Sequence, residues 1–251
     1  AAINAKGSDV MFDIFMVSGA GTGVAVAIGG SSTVRNSEIT GAGYTDGINA
    51  SGTGIRVISN YIHDVNGDGI ELTTTAPRDI LILGNIIDSC AGRGVNITGA
   101  AAANATPVPV IGNTIYNCTL SGLRVVDADM LVEFYNNMFY SNGTSSAYNV
   151  EWAAGNAELI SFHRNNVFYQ GAGGASGNLS GATANATEFT TDPLLTNPAS
   201  GDFTISSGSS PAAGAGSPTS FLGATGTNYQ DIGAMQRQVT AGGGGQRVIG
   251  G

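Results

Sequence analysis

Two aspartates and an arginine recur at the same point of a repeated glycine-rich motif. The motif reads Thr45-Asp46-Gly47-Ile48 at its first occurrence, then Gly67-Asp68-Gly69-Ile70 and Gly92-Arg93-Gly94-Val95. If the copies stack as neighbouring strands, the Asp46 and Asp68 carboxylates lie about 5 Å apart, and splayed side chains widen this toward the separation that inverting glycoside hydrolysis uses. Asp-Gly is also a favoured turn dipeptide, so a purely structural origin stays open.

A second candidate feature is a set of tyrosines that follow the buried residue of a recurrent asparagine step. Tyr116, Tyr140 and Tyr169 occupy this place in three successive repeats, which predicts an outward aromatic ladder. Aromatic ladders suit sugar rings or a partner protein because they bury a large area at low entropic cost. They also stack on themselves, and both readings stay open. Together with Arg124, these tyrosines are the candidate substrate-binding residues.

The elements that must position these residues are predicted from two interleaved repeats. An Asn-x-aliphatic or Asn-x-aromatic step returns every 23 to 29 residues, and a Gly-aliphatic-x-aliphatic step keeps pace with it. A third alternating segment, such as Ile55-Arg56-Val57, completes each unit, so one unit is three short strands joined by turns. The recurrent asparagine is expected in a turn with left-handed geometry, and its stacked amides are expected to form a ladder. The steps begin at Asn60, Asn85, Asn113, Asn137 and Asn166, with Ser37 as an imperfect copy.

These patterns predict an all-β fold, a right-handed single-stranded parallel β-helix of about six to seven three-strand rungs. We expect the solenoid to cover residues 1–172 and a loop-rich closing segment packed on it, wrapping the end of the stack, to cover residues 173–238. A Gly-rich tail, residues 239–251, reads as a flexible linker. Because the first residues already have a strand pattern, we also expect that an N-terminal portion has been removed or left out.

Composition narrows the classes of function. The chain has 39 glycines, 11% charged residues, a net charge of −9 and a single lysine, Lys6. The acidic balance and the lack of a basic cluster argue against a nucleic-acid partner, and no apolar run is long enough for a membrane span. Cys90 and Cys118 are expected to stack facing inward, either as a disulfide or, more economically, as two buried thiols.

The rungs resemble those of right-handed parallel β-helix repeat proteins of the pectate-lyase-like superfamily, which include polysaccharide lyases, glycoside hydrolases and phage tailspikes. The end of the chain is similar to the closing segment of many bacterial and phage members. Four motifs carry that similarity: Asp192-Pro193-Leu194, Asp202-Phe203-Thr204-Ile205, Gly208-Ser209-Ser210-Pro211-Ala212 and Asp231-Ile232-Gly233-Ala234. Enzymes and non-enzymes share the rung motifs, so the resemblance implies the fold and leaves the activity open.

One set of catalytic residues follows from the resemblance to polygalacturonases. In that family, aspartates on neighbouring rungs supply the general acid and base, which implies these roles for Asp46 and Asp68. Arg93 stands where the family has a histidine. The family's paired aspartates appear here as Gly67-Asp68, and no Arg-x-Lys pair follows, so the match is partial.

A second set follows from the resemblance to lyases of this fold, which gather carboxylates around Ca²⁺ and use an Arg or Lys as base. It includes His63 and the bases Arg93 and Arg124, and its candidate metal ligands are Asp64, Asp68, Glu71 and Asp88. The alternative is structural. Glu71, Asn96, Arg124 and Glu151 occupy one outward position on consecutive rungs. Solvated strand residues with a cross-rung Arg124–Glu151 pair explain that column without chemistry.

Two functions from different classes are compatible with these features. The first is a non-catalytic phage virion structural protein, a decoration, spike or adhesion β-helix on the virion surface that contacts capsid or tail neighbours or surface glycans. The second is a secreted, extracellular polysaccharide lyase or glycoside hydrolase acting on acidic polysaccharide. No cofactor is expected beyond the Ca²⁺ that the lyase resemblance implies.

The expected partners are neighbouring virion subunits or cell-surface polysaccharide, with a homo-oligomer as a further arrangement; neither nucleic acid nor a membrane is expected. The tail, residues 241–251, is expected to dock on another chain. It joins a tetraglycine run to the apolar pair Val248 and Ile249, and a flexible linker raises the effective concentration of such a peptide at a neighbouring subunit.

Overall fold

The computed structural model describes residues 2–6, 9–74, 77–99, 106–127, 129–143, 148–152, 161–170, 179–180, 183–217, 230–240 and 243–248. In this part of the chain, short strands succeed one another in a fixed order of three and wind into a solenoid. Each strand pairs in parallel with its counterpart one turn later, which gives three sheets of seven strands each. The predicted all-β stack of six to seven rungs is confirmed.

The strands of each sheet come from every third position in the chain. Sheet A contains β1 (Ile3–Ala5), β4 (Val26–Gly29), β7 (Asp46–Ser51), β10 (Asp68–Leu72), β13 (Val95–Ile97), β16 (Leu123–Val125) and β19 (Val150–Trp152). Sheet B contains β2 (Met11–Asp13), β5 (Thr33–Arg35), β8 (Arg56–Ile58), β11 (Leu81–Leu83), β14 (Val108–Ile111), β17 (Val132–Tyr135) and β20 (Ser161–Arg164). Sheet C contains β3 (Met16–Val17), β6 (Glu38–Thr40), β9 (Tyr61–His63), β12 (Ile86–Asp88), β15 (Thr114–Tyr116), β18 (Met138–Tyr140) and β21 (Val167–Tyr169).

The core is a continuous column of aliphatic and aromatic side chains between the three sheets. In the three-residue strands of sheets B and C the central residue points into the core, as Ile82 and Ile87 do. In sheet A the residues on either side of the outward one do so, as Ile70 and Leu72 do. All four are at most 1% exposed. Burial of one such side chain stabilises a fold by about 1.5–3 kcal/mol. The column therefore explains why alternation over only three residues suffices to define each strand.

The asparagine ladder is confirmed, and its geometry corrects one detail of the prediction. Asn85 Nδ2 donates to Asn113 Oδ1 at 3.0 Å, and the same bond recurs from Asn113 to Asn137. The ladder asparagines were expected in left-handed geometry, but the residue before each of them adopts it. These residues are Ser59, Gly84, Gly112, Asn136 and Asn165, with φ between 50° and 63°. The ladder side chain can thereby turn inward and bond main-chain groups of adjacent rungs.

The glycine of the second repeat is required by close packing at the corner between sheets C and A. A Cβ on Gly94 would lie 2.3 Å from Ile115 Cγ2 and 2.6 Å from the Gly122 carbonyl oxygen. Neither distance is tolerated in a packed core, so only glycine allows the chain to turn this corner directly into the next strand.

The described part of the closing segment lies along the side of the solenoid as well as at its end, where the sequence led us to expect it. It contains β22 (Leu195–Asn197), a 3₁₀ turn (Pro198–Ser200) and β23 (Asp202–Ile205). Phe203 and Ala234 pack on Ile86 of sheet C, and Ala234 N donates to Thr114 Oγ1 at 3.0 Å. At the end of the stack itself, Leu179 and Phe189 each form a single parallel bridge to the last rung.

Two further predictions concern the cysteines and the tail. Cys90 and Cys118 are buried free thiols, as the more economical reading predicted. In the tail, β24 (Met235–Thr240) pairs antiparallel with β25 (Gly243–Val248), so the glycine run forms a hairpin strand of its own chain rather than an open linker. Residues 241, 242 and 249–251 lie outside the described residues, and docking on another chain stays a prediction. Among the described residues, no helical segment has the length and apolarity to cross a bilayer.

Candidate functional site

The polar groups with the strongest claim to chemistry lie on the outer face of sheet A. Because Ile48 and Ile70 point into the core, the residues that follow them point outward. Parallel register then aligns equal positions of successive rungs: Asp46 lies beside Asp68, and Glu71 lies between Asn49 and Asn96. We call this group, Asp46, Asn49, Asp68, Glu71 and Asn96, the acidic recess.

Asp68 at the centre of the recess is fully engaged by the protein itself. Its Oδ1 accepts a hydrogen bond from Arg93 N at 2.7 Å, and its Oδ2 accepts one from Asn96 Nδ2 at 2.6 Å. Arg93 Nη1 also lies 3.9 Å from Oδ1 as an ion pair. The carboxylate thus joins two rungs of the solenoid, and its residue is only 8% exposed.

Asp46 is bonded differently from Asp68. Its Oδ1 accepts a hydrogen bond from Asp68 N at 3.2 Å. Burial raises the pKa of Asp46, the hydrogen bond from Asp68 N lowers it, and the neighbouring Asp68 charge raises it again, with a net upward shift. The structure therefore places the two predicted catalytic aspartates side by side, with Arg93 next to Asp68, and a catalytic role for them stays a prediction.

Glu71 completes the negative charge of the recess. Its Oε2 accepts a hydrogen bond from Asn49 Nδ2 at 2.5 Å. Burial and the charges of Asp46 and Asp68 raise the pKa of Glu71, against smaller lowering effects from the Asn49 bond and from Lys6. The folded chain thus holds an acid whose charged form is unfavourable in its native surroundings.

Replacing Glu71 with glutamine is expected to raise the melting temperature at neutral pH. A raised native pKa means that the folded state binds the proton more tightly than the unfolded chain, so the penalty is present above the native pKa and absent below the ordinary value of 4.5. Calorimetry across this range should show a stabilisation that shrinks as the pH falls toward 4.5. Glu133→Gln, on the outer face of sheet B, is the control. A pH-independent difference would contradict the expectation.

Several atoms around the recess are buried without a hydrogen-bond partner. Asn49 and Asn96 are 9% and 4% exposed although they point outward, so neighbouring groups enclose them. Within the described part of the chain, their Oδ1 atoms have no donor, and the Nε atoms of Arg93 and Arg124 have no acceptor. Sequence reasoning included Asn96 only as a solvated residue and passed over Asn49. The sequence pattern that could have revealed them is the order Asn49, Glu71, Asn96 at the same position of three successive strands.

The predicted metal ligands do not converge. Asp68 and Glu71 belong to sheet A, whereas Asp88 belongs to sheet C and Asp64 to the turn after it. Asp64 instead bonds His63, with Oδ2 2.9 Å from Nδ1, and no group of three or more His, Cys, Asp or Glu among the described residues could hold a metal ion. The residues present do not fit the Ca²⁺ that the lyase resemblance implied, because the corner between β9 and β10 divides them between two faces.

The polar side chains of sheet C around His63 and Asp88 form hydrogen bonds with one another and with their neighbours. We call them the sheet C cluster. His63 Nε2 lies 3.1 Å from Glu38 Oε1, and the His63 ring stacks on Tyr61 at 4.2 Å between centroids. Tyr61 and Ser89 hydroxyls donate to the Asp88 carboxylate. Burial raises the pKa of Asp88, while the hydrogen bonds from Ser89 and Tyr61 lower it. The cluster is a closed network on the sheet surface.

Comparison with known protein families agrees with this geometry. Residues 2–106 match a family model described as a right handed beta helix region. The chain is a right-handed parallel β-helix repeat protein. Residues 109–219 of the β-helix match a second model, described as a domain of unknown function, DUF5123, which covers its later rungs and much of the closing segment. No curated protein sequence matches the chain.

The tyrosine ladder of the β-helix is confirmed, and it stacks on itself. Tyr116 packs edge-on against Tyr140, and Tyr140 against Tyr169, each at 5.1 Å between ring centroids. Phe203 of the closing segment covers Tyr116 at 5.6 Å. Burial is the main cause that raises the pKa of Tyr116 and of Tyr140. Self-stacking under the closing segment therefore accounts for the ladder, and a role in substrate binding stays a prediction.

Arg124 lies on sheet A, away from the tyrosines with which the sequence grouped it. The predicted cross-rung pair with Glu151 is confirmed, with Arg124 Nε 3.8 Å from Glu151 Oε1. Ser121 Oγ donates to the other Glu151 oxygen at 3.1 Å. Arg124 is also the register neighbour of Asn96, so it extends the acidic recess toward later rungs.

Proposed function

We propose that this chain is a non-catalytic β-helix of a phage virion, of the adhesion or decoration kind, that contacts a surface glycan through the acidic recess. One observation carries the proposal: both oxygens of Asp68 are bound to donors of the chain itself, while neighbouring amide oxygens have no donor. A general acid or base must reach the proton it transfers. Asp68 is bound on both oxygens, which favours a structural role for it over proton transfer.

The chemistry of the recess suits sugar hydroxyls. A hydroxyl both donates and accepts, so it can pair with the partly exposed side chains of Asp46, Glu71 and Arg124 on this face. Successive rungs repeat about every 4.8 Å, which offers a polymer several equivalent contacts along the sheet.

The virion setting rests on the resemblance of the closing motifs to phage members and on the scarcity of lysine, with Lys6 as the only one. In this setting the remaining faces contact neighbouring subunits, and the tail docks on another chain. Mass spectrometry of purified virions from the source culture tests the setting. Recovery of the chain only in the soluble secreted fraction would overturn it and leave the glycan-binding proposal in place.

A polysaccharide-active enzyme is the second candidate, and the Asp46 side chain favours it. A carboxyl group with a raised pKa next to an engaged carboxylate is the arrangement from which general acids are made. In this alternative Asp46 protonates the leaving oxygen of a polysaccharide and Asp68 holds the site together. Turnover that is lost in Asp46→Asn would establish it.

Binding and turnover on a panel of polysaccharides separate the two functions. The full chain is immobilised, and retention of pectin, alginate and capsular polysaccharides is compared with the release of reducing ends and unsaturated uronates. We expect retention without cleavage, and loss of retention in Arg124→Ala. Arg56→Ala is the matched control, because Arg56 forms a similar cross-rung pair with Asp79 on sheet B. Turnover would overturn the non-catalytic proposal, and absence of retention on every glycan would overturn the binding proposal.

A further inference from the structure

The first rung of the solenoid is open on its outer side. β1, β2 and β3 are the end strands of their sheets, and among the described residues no strand pairs beyond them. The core column reaches this end, because Ile3, Phe12 and Phe15 pack against it but are only partly buried. Their neighbours one rung later, Val26 and Val34, are fully buried. Strand edges and apolar core surface are therefore exposed together, which is a template for pairing with another chain.

The outward side chains around the corner between β2 and β3 are apolar. Met11, Ile14 and Met16 are 62%, 79% and 63% exposed. One rung later, the same three positions hold polar residues: Thr33, Asn36 and Glu38. An exposed apolar surface of this kind, confined to one rung, marks an interaction site.

Ile14 also has a backbone conformation that suits other residues better. Its φ is 51°, and later rungs place asparagine, serine or glycine at this turn position, as at Asn36, Ser59 and Gly84. A β-branched residue is disfavoured in the left-handed region. Burial of the Ile14 side chain against another chain would offset this cost, which exposure to water does not.

The opposite end of the solenoid is contacted by the chain itself on all three sheets. Leu179 bridges β19 of sheet A, and Phe189 bridges β21 of sheet C. On sheet B, Asn185 Nδ2 donates to the His163 carbonyl oxygen of β20 at 2.7 Å. The last rung therefore does not offer three open edges to a first rung, whereas the first rung of a second copy does.

The charges of the first rung permit two copies to meet. Residues 1–22 contain three charged side chains, Lys6, Asp9 and Asp13. Arg35 Nη2 of the second rung lies 2.5 Å from Asp13 Oδ2 and neutralises it. Like-charge repulsion at this end is therefore small, although the whole chain has a net charge of −9.

We propose that two copies of this chain associate end to end through their first rungs, related by a twofold axis. A twofold axis across the solenoid reverses the strand direction, so the open strands of the two copies pair antiparallel and extend the sheets. Met11, Ile14 and Met16 become buried at this contact. Its size is sufficient, because one rung runs 23 residues, from Ile3 to its register partner Val26, and a stable interface uses about 20–30 residues a side.

Sedimentation equilibrium of the full chain over a series of concentrations tests the association. We expect a monomer–dimer equilibrium. Small-angle X-ray scattering of the dimer should show a particle about twice as long as one solenoid, whose seven rungs span about 30 Å. A monomeric full chain would overturn the proposal and assign the first rung to a different occupant, either a preceding segment or another protein.

Substitutions that copy the second rung onto the first locate the contact. The triple variant Met11→Thr, Ile14→Asn and Met16→Glu uses residues that the fold already accepts one rung later, and urea denaturation checks that it stays folded. We expect its association to be about a hundredfold weaker, since loss of one apolar anchor alone can weaken an interface tenfold. Met16→Glu alone should have a smaller effect in the same direction.

Phe162→Glu is the matched control. It removes a side chain that is 52% exposed on the last rung and replaces it with the residue type of its register partner Glu133. This variant should associate like the unaltered chain. A dimer that persists in the triple variant, or that dissociates equally in Phe162→Glu, would overturn the proposal by placing the contact elsewhere. Glycan binding on sheet A does not require this contact, so the two proposals fail independently.

Discussion

Replacing Asn113 with alanine is expected to lower the free energy of unfolding by about 3–6 kcal/mol. The Asn113 Oδ1 accepts from both the main-chain N and the Nδ2 of Asn85, and both donors become orphaned inside the core. The variant also loses the Nδ2 donor of Asn113, which bonds the Ile82 carbonyl and Asn137 Oδ1. Each buried group left unpaired costs about 1–3 kcal/mol, and water has no access to replace these bonds. Urea denaturation measures the change as a lower midpoint with an unchanged slope.

Asn117→Gly is the matched control for that measurement. Asn117 lies in the same rung as Asn113, but it is exposed and adopts a φ of 52°, which glycine tolerates. We expect a change within about 0.5 kcal/mol, as for other surface substitutions. A loss in Asn113→Ala as small as that of the control would show that the ladder adds little to the stability of the stack.

The repeating features of the fold were predictable because each depends on local sequence. Alternate residues of each strand must point into the core, and parallel stacking aligns equal positions of successive units. From these two facts the sequence predicts the register of Asp46 with Asp68 and the Arg124–Glu151 pair. The ladder follows for the same reason, since a buried asparagine in every rung must bond its copies.

The features that were missed depend on where the chain turns or returns. The four predicted metal ligands do not lie together, because a corner of the solenoid separates β9 from β10. Asp64 and Asp68 are close in sequence, but this closeness does not determine which face each residue occupies. The closing segment covers sheet C through contacts such as Phe203 on Tyr116, which join positions far apart in the chain. No local pattern encodes a contact of this kind.

The position of the residues in the acidic recess was predictable, but the bonding of their side-chain atoms was not. The sequence placed acids and amides in one outward column, but it could not tell which side-chain atoms would be satisfied. That outcome follows from two bonds, Asn49 to Glu71 and Asn96 to Asp68, which commit the amide nitrogens and leave the oxygens free.

The side-chain amide of the last asparagine in the ladder needs a hydrogen-bond acceptor, and a residue that follows the last rung supplies it. Each ladder asparagine donates to the next, but Asn166 has no following copy. Its Nδ2 donates instead to Glu188 Oε1 at 2.7 Å. The other Glu188 oxygen accepts from Asn185 N at 3.0 Å and lies 2.9 Å from His163 Nδ1. The Glu188 side chain is fully buried, so this carboxylate closes the ladder against water.

Glu188→Leu is expected to destabilise the last rungs by about 2–5 kcal/mol, because the Asn166 amide and the His163 ring each lose a buried partner. In a solenoid each rung contacts mainly its neighbours, so the loss should begin at β21 and β20 and fade toward earlier rungs. Amide hydrogen exchange of these strands measures it. Glu188→Gln retains one carbonyl oxygen for Asn166 and should lose clearly less protection than the leucine variant. Unchanged exchange of β21 in Glu188→Leu, or a loss spread evenly over all rungs, would show that Glu188 does not close the stack.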